Sequence, residues 1–89
     1  MEEEIRTSAG KEVDRIKKIM DGLKVVDSKK TDSLVRVMKS YYDDCVSFYR
    51  KEKYLQCLET AFIVWAYVDA GLHLGVFKVP GDLKKMFTI

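Results

Sequence analysis

Pro80 is the only proline in this 89-residue chain, and five glycines accompany it. An all-β domain of such length needs a turn signal about every ten residues. Punctuation this sparse points instead to a few long helices. From about 3 to 24, Ile5, Ala9, Val13, Ile16, Met20 and Leu23 recur at spacings of 4, 4, 3, 4 and 3, an apolar stripe along one helix face. The pattern returns from about 31 to 50 at Leu34, Met38, Tyr41, Cys45 and Phe48, and from about 54 to 74 at Tyr54, Leu58, Ala61, Trp65, Val68 and Leu72. Asp27, Ser28, Thr31 and Asp32 are all capable N-caps for the second helix. The charged corner Lys51-Glu52-Lys53 is short, as connections between antiparallel neighbours are. The expected fold is all-α: an antiparallel up-down-up three-helix bundle, one domain over 1–89, with a short C-terminal extension over 76–89 laid across one end.

Composition removes several classes of function. Sixteen Lys and Arg against fourteen Asp and Glu leave a net charge of +2, too weak and too mixed for a nucleic-acid footprint. The stretch from Ala61 to Val79 is apolar enough to suggest a membrane span, but Asp69 near its centre would cost about 2.5 to 3.5 kcal/mol on insertion. It reads as a buried helix, with no membrane partner. No charged-then-apolar leader opens the chain, and two cysteines cannot staple a secreted scaffold, so a cytoplasmic location is expected.

The third helix differs from the others. Between Tyr54 and Leu74 only Glu59 and Asp69 carry full charge, while Leu55, Phe62, Val64 and Tyr67 widen the apolar surface beyond one stripe. A helix apolar nearly all round is central or covered by something else. Self-association, or docking of another protein chain on this helix, is therefore expected.

Few residues suggest chemistry. Asp69 and His73 stand at i,i+4, a spacing that would suit a pair of metal ligands or an acid and base. Two ligands are too few for a metal site, and there is no second histidine. With the corner near Lys51 or Glu52, Asp69 falls level with Leu34, near the start of the second helix. There it would act as a capping acid or pair with Lys24 or Arg36. Tyr41 and Tyr42 carry Asp43 and Asp44 beside them, which disfavours base stacking and favours core packing. Cys45 and Cys57 fall at one height on adjoining helices and are the candidates for a disulfide, with reduced thiols the default in the cytosol. No catalytic constellation or cofactor motif is present, which points away from an enzyme.

The run Tyr41-Tyr42-Asp43-Asp44-Cys45, followed after the corner by Ala66-Tyr67-Val68-Asp69-Ala70-Gly71-Leu72-His73-Leu74-Gly75-Val76-Phe77, resembles the archaeal domain-of-unknown-function family 357. Its Leu-Asp-Ala-Gly-x-x-Leu-Gly-x-Phe signature maps onto Asp69, Gly71, Gly75 and Phe77, with Val68 where leucine is usual and His73 where a basic residue is common. The resemblance implies an archaeal source and a three-helix bundle, and brings no known activity, cofactor or partner. Two functions follow as expectations: a non-enzymatic interaction or scaffold module acting through the third helix, or a small-ligand or nucleotide-binding accessory domain with an end pocket near Asp69, His73 and the tyrosines.

Overall fold

The computed structural model describes residues 1–87. Three long helices, α1 (Glu2–Gly22), α2 (Ser28–Arg50) and α3 (Tyr54–His73), form the up-down-up bundle, and a single turn, α4 (Gly81–Lys84), ends the described chain. The third helix packs against both others, which meet each other less. It is the central element.

Local chemistry sets the helix ends. At the start of α1, Glu2, Glu3 and Glu4 sit where the helix dipole favours negative charge. Asp27 is the N-cap of α2, its carboxylate accepting from the Lys30 amide at 3.3 Å, and the Thr31 hydroxyl donates to the Asp27 carbonyl at 2.6 Å. The helix thus starts at Ser28, about three residues earlier than expected. At its far end the Lys53 amide reaches back to the Phe48 carbonyl and the Glu52 amide to Tyr49, the paired bonds of a Schellman motif, with Glu52 at φ 62°. The same motif closes α3: the Val76 amide bonds to Gly71, the Gly75 amide to Leu72, and Gly75 takes φ 77° at no side-chain cost.

The C-terminal extension is more ordered than a tail laid over one end. Phe77–Lys78 forms a two-residue strand paired antiparallel with Lys24–Val25, in register Lys24 to Lys78 and Val25 to Phe77. Such short strands carry no readable period, so the α1–α2 connection reads in sequence as plain loop. The pairing ties that connection to the end of α3 and holds Phe77, 2% exposed, in the core.

The core runs through Ala9, Ile16 and Ile19 of α1, Met38 and Cys45 of α2, and Cys57, Ala61, Val64 and Val68 of α3. Two helices bury a line turned slightly from the expected stripe. In α1, Ile19 is fully buried while Met20 is only partly so. In α3, Val64 is sealed while Tyr54, Leu58, Trp65 and Leu72 flank the core. The cause is position: α3 sits between two neighbours, so its buried arc faces the gap between them, where small side chains allow close approach.

Candidate functional site

The signature residues assemble at the C-terminal end of α3. Gly71 is buried, and a methyl group there would overlap the Phe77 ring. Gly75 supplies the left-handed turn that swings the chain back so that Phe77 can reach Gly71. One signature glycine therefore makes room for the signature phenylalanine and the other delivers it.

Asp69 does not cap α2, a position held by Asp27. Nor does it pair with Lys24 or Arg36: the Arg36 guanidinium donates to Asp32 at 3.3 Å, and Lys24 lies in the strand pair. The helical hairpin places Asp69 at the right height but turns it away from α2. Its carboxylate instead has the His73 Nε2 at 3.6 Å from Oδ1, and that oxygen is buried with no hydrogen-bond partner among the described residues, although the side chain as a whole is 41% exposed. Beside it a shallow groove of about 250 Å³ runs between Trp65, Ala66, Met86 and Phe87.

Tyr41 and Tyr42 are not gathered with Asp69 and His73. The Tyr41 ring packs on Tyr67 at 6.0 Å, and Tyr67, two residues before Asp69, points to the far side of α3. Tyr42 has its pKa raised by burial first, then by the charges of Asp21 and Asp43, and it borders a different groove with Val46 and Arg50. Among the described residues no group of three or more His, Cys, Asp or Glu side chains is placed to hold a metal ion, and no helix is long and apolar enough to cross a membrane.

Cys45 and Cys57 converge, as free thiols rather than a disulfide. Their sulfurs lie 3.6 Å apart with both residues fully buried, and the Cys45 thiol also donates to the Cys57 carbonyl at 3.4 Å. That carbonyl accepts the Thr60 hydroxyl as well, at 2.9 Å. Burial pushes the Cys57 thiol up to about 12, the hydrogen bond and charge of Cys45 adding to it. Cys45 is also raised by burial, against the opposing hydrogen bonds of Cys57 and Thr60. Thiolates are the reactive form, so alkylation of the folded protein at pH 8 is expected to be negligible and to reach two thiols on unfolding. Because the folded pKa lies above the unfolded one, the neutral thiols contribute stability below about pH 9 that is lost progressively as pH rises toward 12. Urea midpoints measured from pH 8 to 11 should fall more steeply for the natural sequence than for Cys57→Ala; equal slopes would deny the coupling.

Superposition relates the molecule to the crystal structure of protein AF1782 from Archaeoglobus fulgidus, of the family DUF357. The TM-score is 0.74 at 24% identity, covering 89% of this chain and 97% of that one. The chain has the fold of a DUF357 protein. The resemblance read from the signature thus agrees with the DUF357 fold, in which Gly71, Gly75 and Phe77 find a packing role. A scan against protein-family models and a comparison with curated proteins both find no match. The DUF357 name carries no activity.

The chain's most unusual surface is the outer face of α3. Leu55, Phe62 and Ile63 are 60%, 57% and 36% exposed, and Leu74 beyond the helix end is 74% exposed. Ala66 and Ala70 lie exposed between them, and Glu59, Asp69 and His73 bring the charge or polarity. Sequence reading finds the apolar surplus and two of the residues that carry it, Leu55 and Phe62, but Val64 goes to the core, Tyr67 packs against it, and Ala66 and Ala70, missed as site residues, complete the exposed strip. Their spacings of four and eight from Phe62 were the available signal.

Proposed function

We propose that this protein is a non-enzymatic interaction or scaffold module whose working surface is the outer face of α3. One observation carries the reading: the central helix of the bundle leaves Leu55, Phe62, Ile63, Ala66 and Ala70 in solvent after α1, α2 and the described tail have packed. Large apolar side chains exposed in one strip rather than singly mark an interaction site. The strip follows helical spacing, and helix-in-groove or helix-on-helix docking is the recognition mode that such spacing serves. A cytosolic setting suits two reduced, buried thiols.

A photoreactive residue in place of Ala70 tests this in the native cells. Covalent adducts are expected from position 70, lost when Phe62→Glu is added, and not formed when the photoreactive residue replaces Lys39 on the exposed side of α2. Equal adducts from both positions, or none from either, would overturn the reading.

A further inference from the structure

We propose that the partner of this face is a second copy of the same chain, docked antiparallel with α3 against α3 and with Ala66 on the two-fold axis; this rests on the reading of α3 as a binding face. The argument is self-complementarity, which a two-fold interface requires: one patch must serve as both halves. In an antiparallel pair centred on Ala66, residues equally far from it on either side stand level across the interface.

Glu59 and His73 lie two turns to either side of Ala66 on the same face, and both are exposed. The pairing therefore sets Glu59 of each copy level with His73 of the other, opposite in charge when the histidine is protonated. Phe62 and Ala70 lie about one turn to either side, also exposed. A large ring then falls level with a methyl group, twice, and the smallest pair, Ala66 with itself, sits at the centre, where the helices come closest. Alanines at the crossing permit an axis separation near the low end of the usual 8 to 10 Å. Asp69 lies to one side of this strip, at the rim beside Met86. A parallel pairing would instead put Glu59 against Glu59 and align Phe62 with Phe62, losing both matches.

One helix face buries less than the roughly 800 Å² per partner of a standard interface, so the dimer should be a weak one. The decisive probe is Ala66→Cys, a small change at an exposed position. On a two-fold axis the new thiol meets its own copy within the approximately 7 Å between Cα atoms that a disulfide needs. Native Cys45 and Cys57 are buried and do not compete.

Under mild oxidation with oxidised glutathione, Ala66→Cys should give covalent dimer about tenfold faster than Lys39→Cys, because the weak complex raises the local thiol concentration. Adding Phe62→Glu should abolish the difference. Glu59→Lys should weaken the dimer in sedimentation, and Glu59→Lys combined with His73→Glu should restore it, which only antiparallel pairing predicts; circular dichroism confirms the fold of each variant. Equal cross-linking of Ala66→Cys and Lys39→Cys, with a monomer in sedimentation at about 100 μM, would overturn the second-copy proposal. In that event, adducts from position 70 bearing a different protein would still uphold the binding face, and their absence would overturn that as well.

Discussion

Phe77→Ala should cost about 3 to 5 kcal/mol of folding stability, the usual range for deleting a buried phenylalanine. The ring is 2% exposed, lies against the Gly71 backbone and belongs to the strand that pins the α1–α2 connection. Gly71→Ala attacks the same contact from the other side. Its methyl would overlap the ring, so either the ring leaves its place or the end of α3 shifts, at about 1 to 3 kcal/mol for overpacking. The two losses should not add. In the double variant the methyl enters space vacated by the ring, giving a coupling of about 0.5 to 3 kcal/mol. Urea denaturation of the four proteins measures it, and strict additivity would show that Gly71 is not there for Phe77.

Glu12→Ala is expected to be nearly as damaging although Glu12 lies on the charged side of α1. The Trp65 indole Nε1 donates to Glu12 Oε2 at 2.7 Å, Arg15 donates to the other oxygen at 3.0 Å, and the Glu12 side chain is only 14% exposed. Phe87 packs over the indole, ring centroids 5.2 Å apart. Removing the carboxylate leaves a part-buried N–H without an acceptor, a loss of about 1.5 to 3 kcal/mol for a hydrogen bond to a charged group. In a domain of this size each kcal/mol lowers Tm by roughly 4 to 8 °C. Glu12→Gln keeps an acceptor and should recover much of the difference, with Trp65 emission reporting the change. A Glu12→Ala protein melting with the natural one would mean that water replaces the carboxylate without cost. The bond spans 53 residues along the chain, and nothing near Glu12 or Trp65 in sequence marks them as partners.

The misplaced expectation for Asp69 shows where sequence reading stops. Counting residues along a helical hairpin gives height, and Cys45 with Cys57 confirms that the count is good: their sulfurs meet. Height is only one of two coordinates. The other, rotation about the helix axis, turns Asp69 toward the groove bordered by Met86 and Phe87 rather than toward the start of α2. Rotation is set by how large and small side chains settle between two neighbours, a sum over long-range contacts that spacing within one helix does not contain.

The features legible in the sequence are those governed by interactions within a few residues. Three apolar periods, a capping acid ahead of α2 and the Lys51–Lys53 corner all act locally, and together they determine an all-α bundle of three helices. Tertiary structure alone decided which arc of α3 is buried, that Phe77 is held by Gly71 and a two-residue strand pair, that Glu12 accepts the Trp65 indole hydrogen bond, and that Ala66 and Ala70 complete the exposed strip. The physical reason is that burial is a competition. A helix apolar on most of its circumference has more surface than its neighbours can cover, and only the packed bundle determines which part is left for a partner.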